Sequence, residues 1–243
     1  THTRFEHALG AYHLTGRALA ILGRRGELDG IPASERQAVL LAALLHDIGH
    51  YPFSHGLEEA GFAHHEELGV ARLRTGELRT VLDGLGGPDL ISEVGALIQG
   101  RSKNPLQGLI SGTLDLDKVD YLSRDARGCG GSYGTLDVDR MLAPLTLVRN
   151  EDGILDKGIS ALETMLFGKY QMYRNVYWHH AVRSATCMFK RAVRSAVAAG
   201  RIMPVQLADA TDGALMERLL ASEPTGLARA VHERRLYKRA LDL

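Results

Sequence analysis

The run Leu44-Leu45-His46-Asp47-Ile48-Gly49-His50 sets an imidazole and a carboxylate side by side at the end of an almost wholly apolar segment. A buried charge is costly unless it is paired or bound to metal, so this dyad calls for a partner, and a divalent cation satisfies both side chains. Ala38 to Leu45 is apolar on every side, as a core helix is. Ser34 with Gln37 predicts a capping box at its start, and Gly49 and Pro52 stop it. His46 and Asp47 are therefore expected in the last turn, where unpaired carbonyls carry partial negative charge and favour a cation.

Further ligands must come from elements that bring side chains to this point. Thr3 and Glu6 predict a capping box opening a first helix with two apolar stripes, Phe5, Leu9, Tyr12 and Leu19 on one and Ala11, Leu14, Ala18 and Ile21 on the other. His7 heads the second stripe and is expected to point inward. A later helix, predicted from Leu106 to Arg124, puts Ile110, Leu114, Asp117, Tyr121 and Asp125 on one face, with Asp117 toward the core. Two imidazoles and two carboxylates make a mixed nitrogen and oxygen shell suited to manganese, iron, zinc or magnesium, with positions left for water and substrate. Taken singly, buried histidines and aspartates are more often just hydrogen-bonded, and only their combination points to a metal.

Lys118 beside Asp117 would repel a cation unless an anion lay between them, which a phosphate satisfies. An ordinary salt bridge from Lys118 to a neighbouring carboxylate accounts equally well for the spacing. Lys118, Tyr121 and Asp125 fall within one arc of the helix, a pattern that fits an elongated substrate such as a nucleotide. His50, His55 and Glu58 share a short loop, and His64, His65 and Glu66 follow; a histidine near a carboxylate is the usual way to hold a general acid charged near neutral pH. Lys169, Tyr173, Arg174, Tyr177 and Trp178 put cations among aromatics, as phosphate or base contacts would, while a solvated basic face continued by Arg183, Lys190 and Arg194 is the commoner explanation. The glycine-rich run Gly128 to Gly134 lacks the lysine-serine pair and preceding strand of a phosphate-binding loop.

Helical periodicity dominates the 243 residues, so the fold is read as all-α. Glu66–Leu85 and Leu90–Ile98 are predicted helices, residues 145–155 around Asn150-Glu151-Asp152-Gly153 a short hairpin, and Ser160 with Glu163 the cap of a long helix to Ala199. Residues 1–145 are expected to form a catalytic core, and 146–243 the hairpin, the long helix and a truncated C-terminal helical lobe. Both ends are expected to be cut, since Thr1 stands at a helix start and Leu243 within a helical pattern. The formal net charge is zero, which gives no indication of nucleic acid or a membrane held by bulk charge. No apolar stretch is long enough to span a bilayer, and two cysteines, Cys129 and Cys187, fit a reducing cytoplasm better than a disulfide framework.

These residues resemble the HD-domain phosphohydrolase superfamily, and within it the deoxynucleoside triphosphate triphosphohydrolase branch that includes the SAM- and HD-domain dNTPases. The resemblance is carried by Thr3-Arg4-Phe5-Glu6-His7, by His46-Asp47 with Gly49-His50 and Pro52-Phe53-Ser54-His55, by Asp115-Leu116-Asp117-Lys118 through Asp125, and by Arg235-Leu236-Tyr237-Lys238. It implies an HD-type helical bundle with a small hairpin and a C-terminal helical extension, and a divalent metal on His7, His46, Asp47 and Asp117. It further implies that Arg4, Lys118 and Arg174 contact phosphates, Tyr121 packs on the sugar and Asp125 bonds its 3′-hydroxyl. His50, His55 and His65 would surround the α-phosphate, with His55 the proton donor and Glu58, often aspartate in relatives, orienting it.

The function expected is hydrolysis of a dNTP to deoxynucleoside and inorganic triphosphate by a cytoplasmic homo-oligomer. One rival keeps the metal but acts on a nucleoside monophosphate or cyclic nucleotide. Another is a non-catalytic regulator that binds nucleotides or single-stranded nucleic acid.

Overall fold

The structure is a computed structural model describing residues 2–112, 115–149 and 151–238. It is helical, with one two-stranded antiparallel sheet among the described residues. Leu114, Asn150 and the chain end at Leu243 lie outside the described residues. The chain forms two compact units, one of residues up to Ile48 with Gly69–Met172, the other of Gly49–Leu68 with the chain from Tyr173 onward.

In the first unit, α1 (Arg4–Arg24) opens on the expected capping box of Thr3 and Glu6. Of its two apolar stripes, the one with Ala11, Leu14 and Ala18 is turned to the core, with Ile21 half-buried; Phe5, Leu9 and Tyr12 are exposed, and Leu19 alone of the other stripe is buried. α2 (Ala33–Leu45) packs on α1 and buries the small residues Ala38, Ala42 and Ala43. It begins one residue before the expected Ser34 cap, with Pro32 at the N-cap position and no side-chain cap, because proline already holds the φ that a helix entry needs. It ends at Leu45, so His46 and Asp47 stand in the turn just beyond the last helical residue.

The single helix expected over 66–85 is two, α3 (His65–Leu73) and α4 (Gly76–Leu85), because Gly76 takes a left-handed φ of 63° that ends the periodic run. α5 (Gly87–Ile98) packs on α2 and α4. The helix expected over 106–124 is replaced by a 3-10 turn at Gln107–Leu109 and by α6 (Leu116–Gly128), which packs on α1. Asp115 explains the later start, since its carboxylate caps α6 by accepting from Lys118 N at 3.0 Å. Ile110 is thus off the helical face assigned to it, while Asp117, Tyr121 and Asp125 are on α6. α7 (Val138–Leu142) leads to β1 (Leu145–Val148) and β2 (Glu151–Ile154), the expected hairpin, with Leu145 opposite Ile154 and Val148 opposite Glu151. Glu27 fixes the hairpin, accepting from Thr146 Oγ1 at 2.8 Å and Leu147 N at 2.6 Å.

The expected helix from Ser160 to Ala199 is also broken. α8 (Ile159–Met172) grows directly from a 3-10 turn at Asp156–Gly158, which leaves Ser160 inside the helix instead of capping it. It closes the first unit. A π-helical turn, Tyr173–Tyr177, follows, with Trp178 N donating to Tyr173 O at 2.8 Å. Tyr173 meets Tyr177 and Trp178 edge to face, with centroids 5.0 and 5.6 Å apart, a local aromatic cluster that apolar periodicity does not register.

The second unit is built on α9 (His180–Ala198), whose Met188, Ala192, Val193 and Ala196 form one apolar stripe. α10 (Pro204–Ala208), α11 (Asp212–Ser222) and α12 (Leu227–His232) complete its core with Leu207, Leu215, Leu219 and Ala228, joined by Tyr51 and Leu57. Arg183 and Lys190 pair with Glu59 at 3.3 and 2.7 Å, and Arg194 donates to Ala60 O, so these three cations dock the 58–60 turn. The segment Arg235–Lys238 lies along α9, where Ser184 Oγ donates to Tyr237 O at 3.0 Å. Cys129 and Cys187 are exposed free thiols. No helix among the described residues is long and apolar enough to cross a membrane.

Candidate metal centre and histidine cluster

α1, the turn after α2, and α6 bring His7, His46, Asp47 and Asp117 together in the first unit. Asp117 Oδ1 lies 2.9 Å from His7 Nε2 and 3.3 Å from His46 Nε2. Asp47 lies 3.3 Å from His46 Nε2 through Oδ1 and 3.8 Å from His7 Nε2 through Oδ2. His46 Nδ1 faces Ala43 O at 2.9 Å; a carbonyl can only accept, so Nδ1 carries the proton and the neutral ring keeps its lone pair on Nε2. That Nε2 is buried and makes no hydrogen bond among the described residues, although two carboxylates stand beside it. One donor atom each from His7, His46 and Asp47 falls within 4.8 Å of the others. An orphaned buried imidazole nitrogen among nitrogen and carboxylate donors fits a divalent cation.

Burial alone would lower the His7 pKa, but Asp117, Asp120 and Asp47 outweigh it and push it up to about 10. His46 is raised in the same way, its burial outweighed by Asp117 and Asp47. Burial would raise Asp117, yet His46 and His7 hold it well below the usual carboxylate range. Cation binding must displace these protons. In protein stripped of metal, the stabilisation from His7 is fully present below its unfolded value of 6.5 and lost as pH rises toward 10. The expected result is that chelator-treated protein loses thermal stability across this window while a His7→Asn variant loses less; equal slopes in denaturation scans would contradict it.

Two residues beyond the sequence-derived set support the centre. Asp120 Oδ2 accepts from His7 Nδ1 at 2.8 Å and from Arg124 Nε at 2.6 Å. Asp120 could have been found as the core-facing residue one turn after Asp117 on α6. Among the substrate-binding candidates, Arg4 Nη1 lies 3.2 Å from Asp47 Oδ2, and Asp125 lies 3.7 Å from His2 Nε2. Lys118 Nζ pairs with Asp115 and donates to Gly112 O at 2.8 Å, the ordinary salt bridge that spacing left open. Tyr121 is half-buried on α6, and Arg174 stands in the π-helical turn of the second unit.

The second unit gathers four histidines around one half-buried carboxylate. Glu58 Oε1 lies 2.9 Å from His65 Nδ1, 3.4 Å from His55 Nδ1 and 3.7 Å from His50 Nδ1, while Oε2 lies 3.4 Å from His64 Nδ1. Burial would raise Glu58, but His65, His55 and His50 hold it below its usual value. Donor atoms of His50, His55, Glu58 and His65 also come within 4.8 Å of one another. However, the His50 and His65 rings stack at 3.9 Å with 6° between their planes, so an ion shared by the two would lie out of the plane of at least one ring. The geometry suits proton transfer better than metal binding. His55 and His64 are the members open to solvent, their side chains 62% and 72% exposed against 5% for His50. The His55 loop carries two successive left-handed residues, Phe53 at φ 58° and Ser54 at φ 56°, a strained conformation for side chains of this kind. Asp212 secures that loop by accepting from Phe53 N at 2.9 Å.

The HD domain family model matches residues 4–125, and the HD associated region matches residues 136–243. The chain belongs to the HD-domain phosphohydrolases. The chain is 36% identical over 241 residues to the uncharacterized protein MJ1154 of Methanocaldococcus jannaschii, covering 98% of the chain and 49% of that protein. It is 30% identical over 215 residues to the deoxynucleoside triphosphate triphosphohydrolase SAMHD1 homolog of Dictyostelium discoideum, covering 81% of the chain and 40% of that protein. Among solved structures, it matches a phosphohydrolase of Bacteroides thetaiotaomicron with a TM-score of 0.80 and 26% identity, over 98% of the chain and 66% of that structure. The chain thus spans about half the length, or less, of these curated relatives.

Proposed function

We propose that the protein hydrolyses deoxynucleoside triphosphates to the deoxynucleoside and inorganic triphosphate, with residues 1–145 as catalytic core and 146–243 contributing Arg174. The observation that carries this reading is the convergence of His7 and His46 Nε2 on Asp117 Oδ1, with Asp47 beside them. A divalent cation held by these four, whether manganese, magnesium, iron or zinc, supplies Lewis acidity toward a phosphoryl oxygen and a water of lowered pKa. The similarity to SAMHD1 homologues, named as deoxynucleoside triphosphate triphosphohydrolases, supports the substrate.

The chain's own residues take the remaining roles. Arg4 and Arg174 bind phosphate oxygens, and Lys118 adds its third ammonium donor, the other two being engaged by Asp115 and Gly112. Tyr121 packs on the deoxyribose and crowds the 2′ position, and Asp125 accepts from the 3′-hydroxyl. His55 gives its proton to the departing 5′-oxygen, while Glu58 holds the cluster of His50, His55 and His65 in place. The protein is placed in the cytoplasm as a homo-oligomer, for which exposed Phe5, Leu9 and Tyr12 offer apolar surface.

The Lys118 salt bridge favours a second reading, a nucleotidase or cyclic-nucleotide phosphodiesterase that needs fewer cations. A substrate panel decides between them. Metal-loaded protein is expected to convert dGTP to deoxyguanosine and triphosphate, and to turn over GTP and dideoxy-GTP about 100-fold more slowly. Turnover of dGMP or cyclic GMP in preference to dGTP would overturn the proposal.

A further inference from the structure

We propose that Asp120, held by Arg124 and given room by Gly10, is a positioning residue that orients His7 as a metal ligand, an inference that rests on the metal centre proposed above. His7 is buried, with an aspartate of α6 at each ring nitrogen: Asp117 at Nε2, 2.9 Å away, and Asp120 at Nδ1, 2.8 Å away. The two aspartates are one helical turn apart and have different surroundings. Asp117 stands with His46; Asp120 Oδ2 is shared between His7 Nδ1 and Arg124 Nε, which lies at 2.6 Å. A carboxylate already bridging an imidazole and a guanidinium directs the ring instead of joining the shell. With the Nδ1 proton donated to Asp120, the ring is fixed in plane and presents Nε2 toward Asp117, Asp47 and His46.

Gly10 shows how closely this arrangement is built. A Cβ there would lie 2.0 Å from Asp120 Oδ1 and 2.5 Å from Arg124 Nη2, so the ion pair rests on bare backbone one turn after His7. Glycine inside a helix is unfavourable relative to alanine, and here the missing side chain makes space for the carboxylate and the guanidinium. Because the obstructing atoms are side-chain ends, alanine at this position would displace Asp120 without touching any ligand.

The test uses zinc alone as probe, with affinity measured by competition against a chelator. Asp120→Ala and Gly10→Ala are expected to weaken zinc binding about 10- to 100-fold, and Asp120→Asn, which keeps an acceptor but loses the charge, by less. In the zinc-loaded protein, a nitrogen-proton correlation spectrum should show a hydrogen-bonded His7 Nδ1 proton in the wild type and not in Asp120→Ala. If Asp120→Ala does not fold, Gly10→Ala and Asp120→Asn decide. Zinc affinity within about two-fold of wild type in the folded variants would overturn the inference alone, provided that wild type binds zinc and His46→Ala does not. Failure of the wild type to bind zinc would overturn both the inference and the metal centre beneath it.

Discussion

His46→Ala and Asp47→Ala are each expected to abolish stoichiometric metal binding and to lower hydrolysis by more than the roughly 100-fold that loss of an outer-shell partner costs. The two residues sit in one turn after a core helix whose Ala38, Val39, Ala42 and Ala43 are buried, so a replacement donor cannot swing in without moving that helix. His46 is further fixed by its bond to Ala43 O at 2.9 Å. Asp47→Ala is the more tolerant variant for folding, because it removes one of the carboxylates crowded around the site, although it also releases Arg4. Metal content by elemental analysis, with turnover measured on the same sample, checks both variants. Full occupancy and wild-type rates in both would remove the site.

His55→Ala is expected to slow turnover by about 100- to 10,000-fold, the range associated with general acid catalysis, while metal content stays at the wild-type value. The separation is expected because His55 belongs to the cluster around Glu58 and is not among the proposed ligands His7, His46, Asp47 and Asp117. Glu58→Gln should act in the same direction, because the carboxylate that faces His65, His55 and His50 at 2.9, 3.4 and 3.7 Å sets the arrangement of the cluster, and an amide offers only one acceptor oxygen. A loss that appears in KM with kcat unchanged would mean that His55 binds substrate without transferring the proton. A loss of metal together with activity would mean that the cluster and the metal centre are not separable.

The parts legible in the sequence are those specified locally. Thr3 with Glu6, the apolar run into His46-Asp47 and the 145–155 hairpin each carry their own signal within a few residues, and the structure has all three. Asp117 was reachable because helical spacing alone turns it toward the core. Breaks at Gly76, Asp115 and Tyr173–Tyr177 were not, because apolar periodicity runs through them and the deciding forces are a left-handed glycine, a side-chain cap and an aromatic cluster. The two stripes of α1 were equally apolar in sequence, and only packing against α2 and α6 selects the one that is buried. Helical spacing turns Asp120 toward the core one turn after Asp117, but its role is defined by His7 and Gly10, which lie more than a hundred residues earlier in the chain.

Hydrolysis of dGTP by the metal-loaded protein in oxygen-18 water tests the central claim most directly. In the reaction proposed, water oxygen bonds to the α-phosphorus, the bond from that phosphorus to the 5′-oxygen breaks, and the 5′-oxygen takes the proton from His55. The products expected are unlabelled deoxyguanosine and triphosphate carrying one labelled oxygen. Formation of dGMP with pyrophosphate, of dGDP with phosphate, or of deoxyguanosine bearing the label would contradict it.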